Sequence, residues 1–264
     1  MADIQPYEVF ALRYATAVRN HADVFIGGDP HDGPVPMDYY IWVARNAAHT
    51  VVIDTGFDEA AASRRKRQML TPPAEGLRML GVDCTTVKHV IITHLHYDHA
   101  GNLPLFPQAQ FHLQDAEMTF ATGRHMGHAF FSHAYDLEAV LTMVRLVYGA
   151  RVRFHTGDAD ILPGISVHHV GGHTLGLQVV RVWTQLGWMV LASDATHYLE
   201  NMNSGRPFPI VADITQMISG WDRIRRLASA PQYIIPGHDP LVMERYPEAA
   251  PALRGIAVRL DVKL

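Results

Sequence analysis

The chain has one cysteine, Cys84, in 264 residues, which excludes an internal disulfide framework and leads us to expect a reducing compartment. No window approaches the uninterrupted apolar length that a membrane-spanning helix needs. The opening stretch MADIQPYEVFALRYATAVRN lacks a basic region followed by a continuous apolar segment, so no signal peptide is expected. Charge is sparse at 18%, and the net value of −4 gives no general attraction to nucleic acid or to an anionic membrane. Sustained repeats, low-complexity tracts and a Pro/Ser/Gly-rich linker are all missing. The expectation is therefore one soluble, cytoplasmic domain over residues 1–264, with 48% apolar residues to build its core.

What the sequence does hold in excess is histidine, 17 in all. Short apolar runs bounded by turn signals read as strands at 39–44, 50–56, 89–94, 109–113, 165–170, 177–183, 188–193 and 232–236. Helical patterns cover 58–70, 136–147 and 213–229, with Asp136 and Asp213 placed as N-caps. In the last, Ile214, Met217, Ile218, Trp221, Ile224 and Leu227 recur at three- and four-residue steps and form one apolar face. This mixture predicts sheets covered by helices. The basic run Arg64-Arg65-Lys66-Arg67 has no interleaved aromatic residue and reads as a solvated helix face rather than a nucleic-acid contact.

The stretch HVIITHLHYDHAGNLPLF (89–106) crowds His94, His96, Asp98 and His99 directly behind β-branched residues. So many titratable groups at a buried strand end carry a desolvation cost that a metal ion commonly offsets. If residues 93–96 stay extended, His94 and His96 share one side, while Asp98 and His99 fall at the turn into a helix. Two pairs a few ångströms apart suit two ions. A lone H-x-H is often a surface pair or a satisfied core pair; H-x-H-x-D-H is far more specific. Further donors stand at turn-like positions after strands: His173 in HHVGGHTLG, Asp194 in VLASDATH and His238 in YIIPGHDP. His168 and His169 have a strand context that marks them as satisfied interior groups rather than ligands. His125, His128 and His133 fit a loop–helix cap as well as a third metal site. A donor set of imidazoles and carboxylates without thiolate suits Zn(II) first, with Fe, Mn or Co as alternatives. Two such ions acidify a shared water and clamp developing charge, which suits hydrolysis of an ester, lactone, thioester, amide or phosphodiester. Asp98 is placed to orient the nucleophile and pass on its proton.

The motifs THLHYDHAG, GGHTLG, ASDA and PGHD, in that order, resemble the metallo-β-lactamase fold superfamily over about residues 36 to 240, and VVIDTG resembles its early strand-turn motif, with Asp54 near the site floor. The resemblance implies an α/β fold, a four-layer αββα sandwich with a dinuclear site at one edge. It also implies that His94, His96 and His173 hold one metal, that Asp98, His99 and His238 hold the other, and that Asp194 bridges them. Where the family often has Pro-Gly-His-Thr-Pro-Gly, this chain has Gly171-Gly172-His173-Thr174-Leu175-Gly176.

Within the superfamily, flavodiiron proteins place a glutamate where His96 stands, secreted zinc β-lactamases use cysteine or serine at Asp194, and glyoxalase II adds a helical C-terminal region where only 26 residues follow His238. RNA-processing nucleases of this fold need a basic exosite or an inserted domain, and this acidic chain shows neither. The chain is most similar to the N-acyl-homoserine lactonase group, which implies a quorum-quenching type of lactone hydrolase acting on a small molecule. A thioester or small-ester hydrolase and a non-catalytic metal-loaded sensor are the alternatives. Members of the group carry a tyrosine three residues after the bridging aspartate. Here His197 takes that position with Tyr198 next to it, so either could contact substrate, or His197 could support the site from behind. Met126, Phe130, Phe131 and Phe208 are candidates to line an acyl channel, to pack under their own loops, or to form a homodimer contact.

Overall fold

The computed structural model describes residues 4–29 and 31–264. In chain order the strands are β1 (Glu8–Asn20), β2 (Pro34–Arg45), β3 (Thr50–Ile53), β4 (Gln68–Met69), β5 (His89–Ile91), β6 (Gln110–Gln114), β7 (Val152–His155), β8 (Ala159–Leu162), β9 (Ile165–His169), β10 (Gln178–Thr184), β11 (Gly187–Ser193), β12 (Ile234–Pro236) and β13 (Ala257–Arg259). They form two sheets, one ordered β13-β1-β2-β3-β5-β6-β7 with β4 on β1, the other β12-β11-β10-β9-β8.

Side-chain alternation explains the layers. On β1, Val9 and Ala11 face one way and Phe10, Leu12 and Tyr14 the other; on β2, Tyr40, Trp42 and Ala44 oppose Tyr39, Ile41 and Val43. Strands apolar on both faces must be covered on both. The inner face meets the second sheet, where Val180, Val182, Met189 and Leu191 pack against Trp42, Val51 and Ile91. The outer face of the first sheet is covered by Leu77 of helix Pro73–Met79 and by Val140 and Met143 of helix Leu137–Tyr148. The outer face of the second, with Val179, Val190 and Ala192, is covered by Met217, Trp221 and Ile224 of helix Ile214–Leu227. The result is the expected αββα sandwich. Among the described residues, no helix is long and apolar enough to cross a membrane.

Asp136 and Asp213 do cap their helices, accepting from the amides of Glu138 and Ala139 and of Gln216. Three expectations need correction. Ile214 and Ile218 are 45% and 44% exposed, so the buried stripe of the last long helix is narrower than its apolar spacing. The helix expected over 58–70 covers only Glu59–Arg64: Lys66 turns left-handed at φ 54°, and Gln68–Met69 pair with β1 instead. β5 stops at Ile91, because Thr93 leaves the ladder to donate both its amide and its hydroxyl to Asp54. His94 and His96 therefore sit on a shaped loop rather than a strand end.

Candidate metal centre

Each candidate donor stands where a strand stops. Asp54 follows β3, the 92–99 segment follows β5, His173 lies in the loop after β9, Asp194 follows β11 and His238 follows β12. β3 runs parallel to β5 and β11 parallel to β12, so these carboxyl ends gather at one edge of the sandwich. Glycine makes the close approaches possible. Gly172, at φ +89°, lies so near the last long helix that a β-carbon would stand 2.6 Å from the Met217 amide nitrogen. A β-carbon on Gly237 would stand 2.7 Å from Asp194 Oδ1.

The structure brings all seven candidate donors together, and all are buried. His94, His96 and His173 place donor atoms within 4.8 Å of one another, as do Asp98, His99 and His238. Asp194 lies between the two groups. Its Oδ1 is 3.3 Å from His99 Nε2 and 3.2 Å from His238 Nε2, and its Oδ2 is 3.3 Å from His173 Nε2 and 3.9 Å from His94 Nε2.

Most ring orientations are fixed from behind. His99 Nδ1 is 2.7 Å from Asp54 Oδ2, His173 Nδ1 is 2.6 Å from the Ile210 carbonyl, His238 Nδ1 is 2.8 Å from the Asp38 carbonyl, and His94 Nδ1 is 3.1 Å from Thr93 Oγ1. A ring that donates through Nδ1 keeps a lone pair on Nε2, and those lone pairs aim into the cluster. His96 is turned the other way, with Nδ1 2.9 Å from His173 Nε2. Nε2 of His94, Nε2 of His99 and Oδ1 of Asp194 are buried with no hydrogen-bond partner among the described residues. Partnerless buried nitrogen and oxygen atoms of this kind fit a divalent metal site.

Electrostatics divides the rings. Burial holds His94 and His96 well below the usual imidazole range and takes His173 down to about 3. Burial acts on His99 and His238 too, but the carboxylates of Asp194 and Asp98 outweigh it and raise both. Burial opposes the charge on Asp194, yet His238, His99 and His197 hold its carboxyl well below the ordinary range.

His197 joins the cluster without free access to substrate through Nε2, which lies 2.9 Å from Asp194 Oδ2, and its ring stacks on Phe208 at 3.6 Å. Tyr198 is set apart: its hydroxyl donates to the Pro36 carbonyl at 2.9 Å and its ring faces Phe25. His168 bonds Ser166 and Asp158, and His169 bonds the Leu175 carbonyl, so neither joins the centre. The cleft at the centre measures about 90 Å³ and is lined by Arg19, Tyr39, Arg67, Tyr97 and His133 among others. None of the four proposed channel residues lines it: Phe208 is buried behind His197, Phe131 packs on Phe120, Met126 leans on the core, and Phe130 is 60% exposed. His125 and His128 stay outside it.

Sequence reasoning missed Glu117, whose buried carboxylate accepts from the Leu95 amide, Tyr135 Oη and Thr174 Oγ1. It also missed Tyr39, whose ring is 5.0 Å from that of His238. Only the fold brings these residues to the centre, and no local motif marks them.

A two-sheet sandwich with paired histidine–aspartate clusters at one edge defines a metal-dependent hydrolase. The chain belongs to the metallo-beta-lactamase superfamily, whose family model matches residues 35–238. It is 27% identical over 189 residues to an N-acyl homoserine lactonase of a Bacillus species, a match covering 65% of this chain and 70% of that one. The N-acyl homoserine lactonase of Bacillus thuringiensis is 25% identical over 60% of this chain, and the match spans 64% of its length. Among solved structures, a quorum-quenching N-acyl homoserine lactone lactonase superposes with a TM-score of 0.76 at 22% identity, covering 90% of this chain and 95% of that one. The hydrolase AbOPH of the beta lactamase superfamily superposes with a TM-score of 0.73 at 17% identity, covering 100% of this chain and 96% of that one.

Proposed function

We propose that residues 1–264 form one dinuclear-metal hydrolase domain that opens lactone rings, with N-acyl-homoserine lactones as the leading substrate class. The observation that carries the dinuclear part of this reading is the position of Asp194, whose carboxylate lies 3.2–3.3 Å from His238 and His99 of one cluster and 3.3 Å from His173 of the other. His94, His96 and His173 would hold one ion, Asp98, His99 and His238 the other, and Asp194 would serve both. Zn(II) suits this mixed nitrogen and oxygen set. Bound metal would supply Lewis acidity and a water acidified toward neutral pH.

The chain's own residues do the rest. Asp98, on the cleft wall, orients the attacking water and carries its proton to the departing ring oxygen as the acyl C–O bond breaks. The products are a carboxylate and an alcohol. His197 holds Asp194 in place through their contact and acts as a positioning residue. Tyr198, bonded to Pro36, takes no part in this scheme. The single cysteine supports a cytoplasmic location, where ring opening would silence a lactone signal. The small size of the cleft favours a second reading, a hydrolase of small esters or thioesters.

The test is proton release from N-acyl-homoserine lactones by zinc-loaded protein, with the His96→Ala, Asp194→Asn double variant as blank. Metal-dependent ring opening is the expected result. No release above the blank, from protein shown to hold about two metals, would overturn the lactone assignment and turn the search to esters and thioesters.

A further inference from the structure

The basic run that reads as a solvated face is not one. Arg64 does point outward, to Asp136 at 2.9 Å. The left-handed turn at Lys66 then sends its neighbours the other way. Arg65 donates to the carbonyls of His133 and Tyr135 and lays its guanidinium over the Tyr97 ring at 3.8 Å. Arg67 donates Nε to Tyr97 Oη at 3.1 Å and Nη1 to the Arg65 carbonyl at 2.7 Å. Both line the cleft of the metal centre.

Arg67 is the unusual one. Its guanidinium stands 5.9 Å from the Tyr39 ring, which in turn stands 5.0 Å from the His238 ring. Two of its nitrogens are tied down, Nη2 has no hydrogen-bond partner, and no carboxylate forms an ion pair with it among the described residues. Of the other arginines on the wall, Arg19 is 3.8 Å from Asp23 and Arg65 spends Nη1 and Nη2 on backbone carbonyls, which leaves Arg67 as the one with a free terminal nitrogen and no ion pair among the described residues. A half-buried guanidinium held on two sides, with one terminal nitrogen left free on the cleft wall, suits recognition of a planar anion. The hydrocarbon end of an acyl chain would gain no hydrogen bond from it.

Resting on the lactone-hydrolase reading, we propose that the substrate carries a carboxylate on the arm away from its scissile ester bond, and that Arg67 binds it. Arg67 is then a specificity-determining residue.

The test compares N-succinyl- with N-butanoyl-homoserine lactone, which differ at the arm terminus by a carboxylate in place of a methyl group. The wild-type protein is expected to favour the succinyl compound at least tenfold in kcat/KM, with the advantage shrinking as salt rises. In Arg67→Gln that ratio should collapse toward one, chiefly through KM for the succinyl compound, and Arg67→Lys should restore part of it. Metal content serves as the check that each variant folds. Equal or better turnover of the butanoyl compound by the wild type, or an equal loss on both compounds in Arg67→Gln, would overturn the proposal. If neither lactone is opened, the lactone reading fails. Calorimetry with the ring-opened products N-succinyl- and N-butanoyl-homoserine then decides the charge question alone: tighter, Arg67-dependent binding of the succinyl product supports it, and equal binding overturns it.

Discussion

At the scale of single residues, the donors and their supports differ in how visible they are. Glu117 has no exposed surface; burial raises its pKa, and its hydrogen-bond donors only partly offset that effect. By accepting from Leu95 and Thr174 it ties the loop of His94 and His96 to the loop of His173. Glu117→Ala should cost about 3 kcal/mol by stranding buried donors, measurable in denaturant titrations, and should weaken metal retention against a chelator. Unchanged metal affinity in a folded Glu117→Ala protein would show that the two loops hold their geometry without it. The gathering of the seven candidate donors was legible because coordination would demand spacing such as H-x-H-x-D-H and turn residues at the other sites. Glu117 was not, since its partners lie 22, 18 and 57 positions away and a lone glutamate in a helix ordinarily faces water. Arg67 was read as solvated for a related reason: the pattern continued the helix, and one left-handed residue ended it.

Among the elements, β5, β6 and β7 carry a row of imidazoles. His89 Nδ1 is 3.1 Å from His112 Nε2, and His112 Nδ1 is 3.1 Å from His155 Nε2. Burial pushes His112 down to about 3, and its two histidine neighbours and Arg153 add to the shift. The unfolded chain would therefore take up a proton near pH 6.5 that the fold accepts only near pH 3. Stability from this row is complete above the higher value and falls as pH drops between the two. Thermal melts of the wild type from pH 7 to pH 4 should decline more steeply than those of His112→Gln; parallel curves would assign the acid sensitivity elsewhere. The sheet layers were legible from apolar runs, but β1 went unread because apolar residues on both its faces mask the period-two signal. β5 was overextended because Thr93 has strand propensity and yet bonds Asp54.

For the whole molecule, three apolar cores surround the centre without depending on it, so the metal-free protein should stay folded. Metal at about a thousand times its dissociation constant would add about 4 kcal/mol, or roughly 10 °C in melting temperature for a chain of this size. Calorimetric melts with and without chelator check this, and loss of all cooperative unfolding in the chelated protein would contradict it. Because neighbouring carboxylates raise His99 and His238, those rings hold protons more strongly in the metal-free state than a free imidazole does, and a cation competes with the proton for them. Affinity should weaken as pH falls through their raised values, and uptake should release protons, seen as a buffer-dependent binding enthalpy. Four donors, His94, His96, Asp98 and His99, follow a strand of the first sheet, while His173, Asp194 and His238 follow strands of the second. The centre is thus a clasp with four of its parts on one side and three on the other. Its parts meet only when both halves have docked in register, so capture of an ion by the proposed ligand set would report that the chain has assembled correctly.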